Sequence, residues 1–174
     1  MRFNDLEIRP PKKTDSPKAY LDFICAIIEE NTYILIDKKP TLKEETAWFK
    51  ERLKSISLNQ EICLTAWDGK KVVANCQAIK DKWKDEKNVH LGIAIDKDYR
   101  GHGLGEFLLK ELVRRAKKKL RPKNIYLKVF SDNNAAKGLY QKVGFRKIAH
   151  FPEWTYHKGK FVGHDVVLLS EWKE

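Results

Sequence analysis

The stretch from Val89 to Leu120 constrains the fold of this chain more than any other. Val89-His90-Leu91-Gly92-Ile93-Ala94-Ile95 reads as an apolar strand. From about Gly105 to Leu120, Leu108, Leu109, Leu112, Val113, Ala116 and Leu120 recur at three- and four-residue spacing, the stripe of an amphipathic helix. Between them lies the loop Arg100-Gly101-His102-Gly103-Leu104-Gly105. A strand that turns through glycines into a helix leaves the first helical N–H groups without partners inside the helix. The helix end also carries a partial positive charge, so the place suits a pyrophosphate, which glycine lets the backbone approach closely. Taken alone, the loop is explained about as well by a tight turn that uses glycine for steric reasons.

The remaining elements follow from local pattern. Leu6–Arg9 reads as a first strand. A helix opens at Ser16-Pro17, with Tyr20, Phe23, Ile24, Ile27 and Ile28 on its apolar side. A second helix starts at Thr41 with capping-box spacing to Glu44 and buries Trp48, Phe49, Leu53 and Ile56. Asn31–Pro40, between them, is a loop or broken helix. Ile62–Trp67 and Val72–Ile79 flank Asp68-Gly69, a hairpin signal. After the glycine loop and its helix come a strand over Asn124–Phe130, a helix over Asn134–Val143 stopped by Gly144, and strands near Phe145–Tyr156 and Phe161–Leu169. The order β-α-α-β-β-β-α-β-α-β-β predicts an α/β fold with a mixed sheet and helices against it.

The 174 residues suit one domain, spanning 1–174, and the 42% hydrophobic content excludes a disordered chain. No apolar run is long enough for a membrane span, and Met1–Leu6 lacks the apolar core of a leader, so a cytoplasmic protein is expected. Cys25, Cys63 and Cys76, odd in number and set in apolar patterns, read as buried hydrophobes and not as a disulfide or metal framework. The net charge of +11 admits nucleic acid, an acidic partner or an anionic cofactor. Its densest run, Arg114–Lys119, is the solvated side of a helix. Nothing offers a nucleic-acid reading helix or stacking platform, so nucleic acid is not expected as a direct ligand.

Two phosphate fingerprints do not fit the loop. A dinucleotide site of the Rossmann kind wants three glycines and an acidic residue about twenty positions on, within parallel βα units. A nucleotide-hydrolase loop ends in Gly-Lys-Ser/Thr, whereas Gly105 is followed by Glu106-Phe107. The pattern Arg-x-x-Gly-x-Gly between a strand and a long helix resembles the pyrophosphate loop of the GNAT superfamily of acetyl-CoA-dependent N-acetyltransferases. A second segment, Asn133-Asn134-Ala135-Ala136-Lys137-Gly138-Leu139-Tyr140 followed by Val143-Gly144-Phe145, is similar to that family's Asn-x-x-Ala-x-x-Leu-Tyr…Gly-Phe motif. The likeness is sharp from Val89 to Arg146 and rests on element order before that.

The resemblance implies a GNAT-type mixed, mostly antiparallel twisted sheet with helices on both faces, and acetyl-CoA as cosubstrate. It implies that backbone groups of Ile93 and Ile95 pair with the pantetheine arm. The backbone of Arg100, Gly101, His102, Gly103, Leu104 and Gly105 would hold the pyrophosphate. Asn133 would lie beside the coenzyme, though Asn there also suits an N-cap. Tyr140 would protonate the departing thiolate, and is otherwise an aromatic packed near Ala135 and Ala136. Many family members carry a glutamate base ten residues before the loop arginine; here that position is His90. Imidazole serves as a base near neutral pH, and Gly92 and Ala94 on the same strand face would leave room for a ligand. Glu29 and Glu30 are the fallback bases.

Direct transfer is expected, since no cysteine falls in either motif. The acceptor would be shaped by Asn31–Pro40 and by Phe151–Lys160, with Trp154, Tyr156 and His157 in the latter. A protein or peptide amine is the first expectation and a small-molecule amine the second; a homodimer is compatible with either. A silent coenzyme A sensor on the same fold is the main rival.

Overall fold

The computed structural model describes residues 5–169, so Met1–Asn4, read above for a leader, lie outside the described residues. The chain runs β1 (Glu7–Arg9), α1 (Pro17–Glu29), α2 (Leu42–Ser57), β2 (Glu61–Asp68), β3 (Lys71–Lys80), β4 (Asn88–Ile95), α3 (Leu104–Leu120), β5 (Asn124–Phe130), α4 (Asn134–Val143), β6 (Phe145–His157) and β7 (Lys160–Leu169). This is the predicted order. The seven strands form one sheet in the order β1-β2-β3-β4-β5-β7-β6, antiparallel except for β4 beside β5.

Helices cover both faces. On one, the stripe of α3 is buried as its spacing predicts, against β2, β3, β4 and β5. Full burial of a Leu or Val side chain contributes about 1.5–3 kcal/mol, so this helix anchors the domain. Its charged side, Arg114 to Lys119, carries Glu111 ion pairs to Arg114 and Arg115. On the other face α1 and α2 pack over Trp67 and Val72 through Tyr20, Phe23, Ile27 and Phe49. The capping box of α2 forms as read: Thr41 Oγ1 accepts from Glu44 N, and Glu44 accepts from Thr41 N at 2.7 Å.

α2 departs from its apolar reading. Its buried residues are Glu45, Phe49 and Arg52, while Trp48 is exposed. The Arg52 guanidinium lies 4.0 Å from the Trp48 ring centroid and pairs with Glu61 at 2.9 Å. It also donates to Cys63 Sγ at 3.2 Å and to Gln77 Oε1 at 2.7 Å. A buried charge persists only with such partners. Periodicity of apolar letters misses it, because the buried side of α2 is partly ionic.

Candidate active site

β4 and β5 pair only at Asn88–Asn124, Val89–Ile125 and His90–Tyr126. Neither strand stops there. β4 continues against β3 to Ile95, and β5 continues against β7 to Phe130. The two strands therefore part after His90 and Tyr126, and the sheet opens as a wedge. Buried backbone polar groups need partners. Along the facing edges beyond the apex the neighbouring strand no longer supplies them, and an extended chain bearing amides would. Ile93 and Ile95 lie on this edge of β4.

The wedge opens toward the glycine loop. A short 3-10 turn, Lys97–Tyr99, leads out of β4 and is capped by Asp96, whose carboxylate accepts from Asp98 N at 3.1 Å and pairs with Lys71 at 2.7 Å. Gly101 and Gly103 follow with φ of +80° and +87°, a region that L side chains avoid. Gly103 is the N-cap of α3 and has no side chain to cap the first turn. The first N–H groups of a 17-residue helix thus face an exposed loop, flanked by His102 and anchored by buried Leu104. Gly105 serves packing instead: a β-carbon there would lie 3.1 Å from both Ile95 Cδ1 and Leu139 Cδ2.

Arg100 is not a free cation. Its Nε donates to the Ile95 carbonyl at 2.8 Å, and Nη2 pairs with Glu30 at 2.7 Å. One of the two Ile95 backbone groups assigned to pantetheine is therefore already engaged.

α4 brings the second motif to the same end of the sheet. Asn133 is its N-cap, with Oδ1 accepting from Ala136 N at 3.1 Å. Tyr140 is buried, its ring edge-on to Phe145, and burial pushes its phenol up to about 12. Among the described residues its hydroxyl has no hydrogen-bond partner.

At the apex, His90 Nδ1 lies 3.0 Å from Asp81 Oδ1, and the Tyr126 hydroxyl donates to Asp81 Oδ2 at 3.0 Å. The room expected over Gly92 is taken: a β-carbon there would meet Gln77 Nε2 at 3.2 Å, and Arg52 holds Gln77 in place. Ala94 packs against the α1–α2 cluster. The open approach is at His90 itself, whose side chain is 42% exposed. Both fallback bases are committed to ion pairs, Glu29 with Lys39 and Glu30 with Arg100. Asp81 and Tyr126 carried no signal in the sequence, since one sits in a charged loop and the other in an ordinary strand.

On the same face the loop between α1 and α2 reaches across to the β6–β7 hairpin. Tyr33 packs on Phe130 and His157, with centroids at 5.4 and 5.5 Å, and its hydroxyl approaches the Asp132 carbonyl. The His164 ring lies tilted against Phe130, with centroids 4.5 Å apart; burial and Lys128 hold its imidazole below the ordinary histidine value. Trp154, Tyr156 and Phe161 stand exposed on the hairpin. Cys63 and Cys76 are buried, and burial pushes both thiols up; Cys25 is half-buried, with its thiol also raised. A thiol so raised stays protonated and is a poor nucleophile.

A split parallel pair beside an uncapped, glycine-led helix leaves unpaired strand edges and free helix N–H groups at one end of the sheet. The acetyltransferase (GNAT) family model matches residues 23–145, and the chain belongs to that family. The GNAT-family acetyltransferase of Streptococcus pneumoniae is similar over the whole domain, with a TM-score of 0.83 and 26% identity over 94% of this chain and 98% of that one. The probable spermine N(1)-acetyltransferase of Bacillus subtilis subsp. natto is 44% identical over 52 residues, 30% of this chain and 34% of the relative. N-alpha-acetyltransferase RimI of Mycobacterium tuberculosis is 43% identical over 63 residues, 36% of this chain and 37% of the relative. The chain thus aligns with about a third of the length of these curated relatives. Among the described residues no helix is long and apolar enough to cross a membrane.

Proposed function

We propose that this chain transfers an acetyl group from acetyl-CoA to a primary amine of a protein or peptide, directly and in a ternary complex. The observation that carries the reading is the wedge between β4 and β5, which has His90 at its apex and the bare N-terminus of α3 at its mouth. Bound there, acetyl-CoA supplies an activated acyl carbon. Backbone groups of Ile93 and the free side of Ile95 extend the sheet to its amide arm, and the N–H groups from Gly101 to Gly105 hold its phosphates.

Amide formation needs a neutral amine, and a lysine ammonium has an unperturbed pKa near ~10.4. His90 Nε2 removes that proton, and nitrogen then attacks the acyl carbon as the carbon–sulfur bond breaks. Tyr140, protonated throughout the physiological range, donates to the departing sulfur. The attacking nitrogen sheds its second proton, which restores the Tyr140 phenol; coenzyme A leaves as thiol, and His90 passes the other proton to water, one released overall. Direct attack is favoured because none of the three cysteines offers a thiolate.

The protein or peptide acceptor is supported by the exposed aromatic hairpin beside the wedge and by the likeness to RimI. The likeness to a spermine acetyltransferase keeps a small amine as the second reading. Against it stands the field of a chain with net charge +11, which repels a polycation. A thiol-release screen with peptides, polyamines, amino acids and aminoglycosides tests the proposal. Peptide turnover above polyamine turnover is the expected result; tight acetyl-CoA binding with no turnover would reveal a sensor.

A further inference from the structure

The apex of the wedge is closed by one carboxylate. Asp81 follows β3 directly, and its backbone N–H donates to the Asn88 carbonyl at 2.9 Å, which fixes the residue beside the start of β4. Its two oxygens reach two different strands: Oδ1 to His90 Nδ1 on β4 and Oδ2 to the Tyr126 hydroxyl on β5, each at 3.0 Å. His90 and Tyr126 are also the last paired residues before the strands separate. The clamp therefore sits where the wedge begins.

We propose that Asp81 is a positioning residue that selects the tautomer of His90. This rests on the reading of His90 as the base. An ionised carboxylate only accepts hydrogen bonds, so Nδ1 of the facing imidazole carries the proton. Nε2 then holds the lone pair. Among the described residues Nε2 has no hydrogen-bond partner, and the His90 side chain is 42% exposed. Nε2 takes one proton from the acceptor ammonium, and the imidazolium so formed stays bonded to Asp81 until water removes the proton. The Tyr126 bond occupies the second oxygen and keeps the carboxylate plane from turning away. The neighbouring acid on the same row, Glu61, pairs with Arg52 at 2.9 Å and reaches the imidazole only through its charge, without a hydrogen bond to it.

The imidazole nitrogen shifts of His90 in the full-length protein, read by 15N NMR beside steady-state kinetics, test this. The wild type is expected to show the Nδ1–H tautomer. In Asp81→Asn the side-chain amide donates to Nδ1 and moves the proton to Nε2; kcat then falls by about 100-fold or more, with the KM for acetyl-CoA held within about twofold. Asp81→Glu, which keeps a carboxylate, retains the Nδ1–H tautomer and more activity than Asp81→Asn. An Nε2–H tautomer in the wild type overturns the proposal without any variant. So does a slow Asp81→Asn enzyme whose tautomer is unchanged, the outcome of a purely structural clamp. If instead His90→Ala keeps the full rate, the base reading fails, while the NMR result still reports whether Asp81 sets the ring.

Discussion

Arg100 and Glu30 form an ion pair at 2.7 Å that ties the glycine loop to the residue following α1. The one arginine in the glycine loop is thus turned toward protein, where it also holds the end of β4 through the Ile95 carbonyl at 2.8 Å. In the proposed site, phosphate binding would then fall to backbone N–H groups.

Arg100→Ala is therefore expected to weaken coenzyme A binding by less than about tenfold, or about 1.4 kcal/mol, in calorimetric titration. A loss of several hundredfold would show that the guanidinium leaves Glu30 and grips phosphate directly.

Gly103 is expected to carry the larger share. At φ +87° an alanine costs about 1–2 kcal/mol in backbone strain and disturbs the first turn of α3, the proposed phosphate site. Gly103→Ala should lower coenzyme A affinity by more than Arg100→Ala does. At Gly105 the obstacle is two flexible side-chain ends, so alanine should be tolerated and Gly105→Val should not. Affinity and thermal midpoints for the three variants check this ranking.

Tyr140→Phe separates chemistry from stability. The hydroxyl has no partner among the described residues, so its loss should change unfolding free energy by less than about 0.5 kcal/mol. kcat should fall about 10- to 100-fold with little change in the KM for acetyl-CoA. Because burial raises the phenol to about 12, no fall in rate below about pH 10 should trace to its ionisation. An alkaline limb near pH 8 that vanishes in Tyr140→Phe would contradict this.

Much of this architecture was legible locally. The stripes of α1 and α3, the Thr41–Glu44 box and the strand–glycine–helix run are short-range patterns, and each formed as read. What escaped is long-range. The parting of β4 from β5 depends on where a parallel pairing stops, which no periodicity encodes. Asp81 finds His90 only once the loop after β3 is folded back. The ligand space expected over Gly92 is filled by Gln77, because Arg52, on a helix read as apolar on that side, reaches over and holds the amide.

That arginine gives a stability prediction. Burial raises the Glu61 carboxyl above its ordinary value, and Arg52 opposes the rise. Arg52→Met leaves Glu61 buried without its ion-pair partner, which costs about 3–5 kcal/mol where the carboxyl is ionised. A carboxyl whose folded pKa is raised weakens the fold as pH climbs through that pKa. The deficit in urea unfolding should thus be largest near pH 8 and narrow toward pH 5. A loss independent of pH would assign it to packing alone.

The most direct test of the central claim is thiol release from acetyl-CoA with a peptide amine acceptor, compared between wild type and His90→Ala at matched coenzyme affinity. The wedge with His90 at its apex predicts turnover in the wild type and a loss of about 100-fold or more in kcat for the variant. Equal rates in the two proteins, or no thiol released with any amine although acetyl-CoA binds, would contradict it.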